Sequence, residues 1–196
     1  EVLWTESGHL PTHALGGHGL RHRREVRHVE VCVALGLGQA VGRRLQESDF
    51  PHKDLSLVAA AAALEVPLTV HVAVGTDIIH LHPSVDPEAL GATSHRDFRL
   101  FAALVSELDH GVFINLGSAV IIPEVFLKAL TLARNLGHQA SPLTTVNLDF
   151  VQHYRPLTNV VRRPTIGAGR GLALTGHHEL LFPMLAAMVV EEMEEA

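Results

Sequence analysis

"GVFINLGSAVIIPEVFLKALTLARNLGHQASPLTTVNLDF", residues 111–150, passes from a short apolar run to a helix-length amphipathic segment and back to a short apolar run. In "GVFINLG" and "LTTVNLDF" the β-branched and aromatic residues suit a pleated surface, and each run is the length of one strand. Between them, "SAVII" leads into "PEVFLKALTLARNLG". There Pro123 sits in the first turn, where a missing N–H costs nothing, and Gly137 is placed as the stop. Strand, helix and strand in this order form a βαβ unit, whose two strands must lie parallel.

The same alternation continues towards the N-terminus. Asp54 is placed to cap a helix through "LSLVAAAAALE", and "VPLTVHVAV" (66–74) reads as another strand. Asp97 is placed to cap a helix in which Phe98, Phe101, Val105 and Leu108 share one face, with Gly111 ending it. Towards the C-terminus, "QHYRP" leads to a short extended piece, "TNVV". The glycine-rich "IGAGRG" (166–171) reads as a mobile loop near Arg162, Arg163 and Arg170, because neither the dinucleotide fingerprint nor the P-loop pattern is complete. A last helix begins near His177 and carries Pro183 early. The expected fold is α/β, a mostly parallel sheet with helices on both faces, since nearly all the strands are apolar throughout. The 196 residues suit one domain over 1–196, with 1–50 poorly defined and the core in 51–196.

Composition narrows the function classes. A net charge of −6 argues against a general nucleic-acid binder, although "RHRREVRH" (21–28) gathers four arginines into a possible anion patch. No apolar run is long enough for a membrane span, and no leader pattern is visible, so the expectation is a cytoplasmic protein with no membrane partner. Cys32 is the only cysteine, which excludes an internal disulfide and a thiolate zinc site of the usual kind. Histidines number 15, against two lysines, Lys53 and Lys128.

Three apolar runs end in small polar residues: "AVGTD" (73–77), "INLGS" (114–118) and "VNLDF" (146–150). In an open parallel sheet, ligands bind beyond the carboxyl ends of the strands. Gly75, Thr76 and Asp77, then Asn115, Gly117 and Ser118, then Leu148 and Asp149 are therefore the candidate binding residues. The glycines would permit close approach, and the aspartates would accept hydrogen bonds from ribose or amine groups. His80 and His82 follow the first turn and are the acid–base candidates, because imidazole titrates near neutrality. Together with Asp77 or His71 they are also an alternative zinc set, as are His177, His178 and Glu179, for a metal-dependent hydrolase. A third alternative is a non-catalytic assembly or regulatory protein.

"VPLTVHVAVGTD", "GVFINLGSAV" and the final "HHELLFPMLAAMVVEEM" resemble the corresponding segments of deoxyhypusine synthases, and the spacing agrees from about residue 55 onward. The resemblance implies a Rossmann-like sheet that binds NAD, a homotetramer, and transfer of the butylamine part of spermidine to a lysine of a translation factor. It implies that Asp77 contacts the NAD ribose, that Gly117 lies against the cofactor, and that Leu148 and Asp149 form a further contacting pair. His177 stands where the family has an aspartate near the adenosine end. Two departures bear on the reaction. The family's imine-forming lysine belongs to a tryptophan-glycine-lysine motif before the last strand, yet residues 150–196 contain no lysine, and Pro123 replaces an amine-binding histidine. Without that amine the covalent step has no nucleophile. The implication is a pocket for NAD or a related nucleotide without synthase activity. The apolar residues around the last helix add an expectation of self-association as a dimer or tetramer.

Overall fold

The computed structural model describes residues 35–195. Arg21, Arg23, Arg24, Arg27 and Cys32 lie outside these described residues. The central βαβ unit forms as its sequence dictates. Strand β1 (Val112–Leu116) leads to a helix (Ile121–Asn135) and then to β2 (Leu143–Asp149), which pairs parallel to β1 with Asn115 opposite Asn147. Gly137, at φ 97°, adopts the left-handed conformation that ends the helix. β3 (Gly169–Thr175) pairs parallel on the other side of β2, giving the order β1-β2-β3. The order follows the chain, so the described sheet has no reversal in strand order.

The other α-helices longer than one turn among the described residues are α1 (Leu37–Gln46), α2 (Leu57–Ala63), α3 (Pro87–Ser106) and a C-terminal helix (His178–Glu195). In chain order the βαβ helix is therefore α4 and the C-terminal one α5. None of the described helices is long and apolar enough to cross a membrane.

The core lies between one sheet face and α3 with α4. Phe113 stacks on the buried Phe126 at 3.7 Å between ring centres, and Val105, Leu130 and Leu143 complete the cluster. Phe98, Phe101 and Leu108 pack against it, as their spacing predicts. Side chains alternate across a strand, so the opposite face carries Val112, Ile114 and Leu116. All three are exposed, and no side chain of α5 is buried. Coverage of the two faces is therefore unequal, where uniformly apolar strands predict helices on both.

Several local expectations are corrected. Residues 66–74 form no ladder. Pro67 has no N–H, the N–H of Val70 is taken by the Asp97 carboxylate (2.9 Å), and that of Ala73 by the Asp77 carboxylate (2.9 Å). Ser56, not Asp54, caps α2, accepting from the Ala59 N–H. Asp97 caps nothing on its own helix: α3 starts ten residues earlier, where Asp86 accepts from the N–H groups of Glu88 and Ala89. "TNVV" is not extended but belongs to a π-helical turn, Leu157–Arg162. The second half of "IGAGRG" is no loop, because β3 begins at Gly169. Glycine is needed there: a Cβ at Gly169 would strike the Leu143 carbonyl, and one at Gly171 the Val161 carbonyl. Finally, α1 forms within residues 1–50, where no periodicity was legible.

Candidate functional site

The parallel order puts the carboxyl ends of all three strands, and the first turns of α4 and α5, at one edge of the sheet. Strand β1 ends at Gly117, whose φ of 70° turns the chain and whose N–H donates to the Leu148 carbonyl at 3.0 Å. Ser118 then accepts from the Ile122 N–H at 3.1 Å and ties down the start of α4. His178, at the start of α5, donates through Nε2 to the same Leu148 carbonyl at 3.2 Å; a carbonyl can only accept, so this bond fixes the protonated nitrogen. Asn115, Gly117, Ser118, Leu148 and Asp149 are thus brought together, as the sequence predicts. His177 joins them differently: its ring stacks on Phe150 with centres 4.5 Å apart.

Beneath this edge runs a buried chain of amides with a fixed direction. Gln152 donates through Nε2 to the Leu174 carbonyl (3.0 Å) and the Asp149 carbonyl (3.3 Å), leaving its oxygen as acceptor. Asn147 Nδ2 donates to that oxygen at 2.7 Å, and Asn147 Oδ1 accepts from Asn115 Nδ2 at 2.6 Å. Asn115 Nδ2 also donates to the Ser118 carbonyl at 2.9 Å. Both Asn115 donors are used, and its oxygen, in a side chain only 1% exposed, has no partner among the described residues. Sequence reasoning missed Asn147 and Gln152. The signal was an asparagine in the middle of each of two apolar runs, since a buried amide requires partners.

The turn at residues 75–82 is built otherwise. Asp77 accepts from the Ala73 N–H, Thr76 Oγ1 donates to the Ala73 carbonyl at 2.9 Å, and the Gly75 N–H donates to His80 Nδ1 at 3.3 Å. His82 Nδ1 lies 2.6 Å from the Ser84 hydroxyl, and His71 Nε2 lies 3.0 Å from that of Thr69. Gly75, Thr76 and Asp77 are exposed and closed upon themselves. Among the described residues, no hydrogen bond or ring contact links them, His80 or His82 to the strand ends. No group of three or more His, Cys, Asp or Glu that could hold a metal occurs among those residues either. His71, His80 and His82, of the first zinc set, each have a local partner instead.

A nucleotide needs acceptors for its ribose hydroxyls, a flat surface for its base and a helix N-terminus for phosphate. At this edge stand a partly exposed carboxylate, Asp149, and a flat ring pair, Phe150 on His177. Two long helices start at the same edge. The ring of His178 lies against Gly117, where a Cβ would sit 3.0 Å from Cε1, so close approach of a ligand to that glycine requires the imidazole to rotate. The other glycine-marked helix start, with Gly36 just before α1 and Gly38 in its first turn, is closed to an anion. There the wholly buried Asp97 carboxylate accepts from the Gly38 N–H at 3.0 Å, and a Cβ at Gly36 would run into its second oxygen. Comparisons with family models, curated proteins and solved structures found no match to this chain.

Proposed function

We propose that this chain binds NAD or a related nucleotide along the carboxyl edge of β1, β2 and β3, in a Rossmann-like manner, and that it lacks deoxyhypusine synthase activity. The observation that supports the reading best is the convergence of Ser118, Asp149 and the Phe150–His177 stack with the first turns of α4 and α5. Asp149 takes the ribose hydroxyls, the aromatic pair takes the base, and the helix starts face the phosphates. The sequence resemblance to the synthases points to the same cofactor, while the absence of lysine from residues 150–196 removes the nucleophile. Asp77 belongs to the site only if the turn at 75–82 opens, because its carboxylate already closes that turn.

A ligand at 100 times its dissociation constant adds about 2.7 kcal/mol to stability, on the order of 5 to 10 °C in melting temperature here. NAD or NADH should raise the melting temperature saturably, and Asp149→Ala should remove most of the rise while leaving the unliganded melting temperature within about 1 °C. A flat response to both nucleotides would sink the reading. Incubation with NAD, labelled spermidine and the factor precursor should leave the precursor unlabelled.

We also assign α5 to self-association. Leu180, Phe182, Met184 and Met188 are each more than half exposed, an apolar surface that a second copy would cover. Met184→Glu with Met188→Glu should lower the mass measured by light scattering to that of a monomer.

A further inference from the structure

A cavity of about 360 Å³ opens between residues 71–74 and one face of α3, with Val125 of α4 also at its wall. The α3 side is formed by Leu90, Gly91, Ser94, His95 and Phe98, at the spacings that share one helix face. Three features distinguish it from a packing defect. Its polar groups are few and available: among the described residues, neither Ser94 nor His95 makes a side-chain hydrogen bond, and His71 uses only Nε2, towards Thr69. Among the described residues, no lysine, arginine, aspartate or glutamate lines it. Gly91 lies inside a 20-residue helix, where glycine costs about 1 kcal/mol relative to alanine, yet a Cβ there would meet nothing within 4 Å. Internal packing therefore does not require the glycine. Its bareness keeps the wall of the cavity open.

We propose that this cavity binds a small, uncharged, largely apolar molecule carrying a single hydrogen-bonding group, such as an alcohol or phenol, which meets His71 while Leu90, Phe98 and Val125 hold its body. At roughly 30 Å³ per water-sized unit, the space takes a ligand of about ten non-hydrogen atoms. Burial lowers the basicity of His71, with the Asp97 charge opposing in part, which favours an uncharged head group beside it. Phe101, edge-on to the His71 ring at 5.1 Å, fixes its plane. None of the strand-end residues takes part, so this proposal stands apart from the nucleotide reading.

The probes are 4-ethylphenol and cyclohexylmethanol, each beside its hydrocarbon analogue. Both alcohols should shift the ring proton signals of His71 and His95 saturably and bind at least tenfold tighter than the hydrocarbons. Gly91→Phe, which fills the space from a position without neighbours, should abolish binding while the protein still melts cooperatively. His71→Phe should weaken binding about tenfold. No saturable shift with either alcohol at millimolar concentration, or binding that survives Gly91→Phe, would overturn the proposal. So would a Gly91→Phe variant that loses self-association by light scattering, since the cavity would then belong to a contact between copies.

Discussion

The segment 66–77 and the two strands 112–116 and 143–149 share a sequence pattern, an apolar run that breaks into small polar residues, but they end in different structures. In β1 and β2 the backbone donors go to neighbouring strands, and Asn115 and Asn147, held in register, join their side chains below the surface. In 66–77 the N–H groups of Val70, Ala73 and Gly75 go instead to the side chains of Asp97, Asp77 and His80. A strand pattern specifies an extended chain with one apolar side. Whether that chain enters a sheet depends on what else competes for its donors.

The comparison can be broken most decisively at Asp97. Its carboxylate joins α1 to residue 70, and Asp97→Ala should leave two backbone N–H groups without a partner. Because hydrogen bonds to charged groups are the stronger kind, the loss should be about 3 kcal/mol in urea unfolding, with Asp97→Asn recovering part of it. A loss below about 1 kcal/mol would mean that α1 and the 66–74 segment hold their places without the carboxylate.

Within the sheet, Asn147→Ala removes the middle of the amide chain and strands one N–H of Asn115 Nδ2 and the oxygen of Gln152; we expect about 2 kcal/mol. Asp77→Ala, in the exposed turn, should cost about 0.5 kcal/mol or less. Equal costs for these two substitutions would erase the distinction between the regions.

The smallest effect concerns acid. His71 binds its proton less tightly folded than unfolded, because burial outweighs the attraction of Asp97. Its contribution is therefore intact above the ordinary histidine range and is lost as pH falls below about 6.5. In His71→Gln, the drop in unfolding free energy between pH 7.5 and 5.5 should be smaller than in the parent; an unchanged drop would show that His71 is not the group responsible.

How much was legible follows from the same physics. The pattern of 111–150 gave the central unit almost residue for residue, because α4 buries one regular face and the two apolar runs flanking it are each the length of a strand. It gave the gathering at the strand ends as well, since parallel strands must finish on one side. It could not give β3, whose "GRGLALT" has glycines where carbonyls press close and little apolar character to announce a strand. Nor could it give the start of α3: Asp97, read as the cap, is buried mid-helix, and the cap is Asp86. The pairing within the amide chain was hidden for another reason. Asn115 and Asn147 lie 32 residues apart and become partners only once the register is set.

The position of β2 has a consequence for motion. It is the one described strand with a ladder on both sides, and its residues 145–148 are all buried, whereas β1 and β3 each leave one edge unpaired. Local opening draws on the least protected units first, so amide hydrogen exchange should proceed inward from both edges. The N–H groups of Thr145 to Leu148 should exchange last, only with global unfolding. The carbonyl of Leu148, which both Gly117 and His178 grip, would then belong to the slowest part of the molecule.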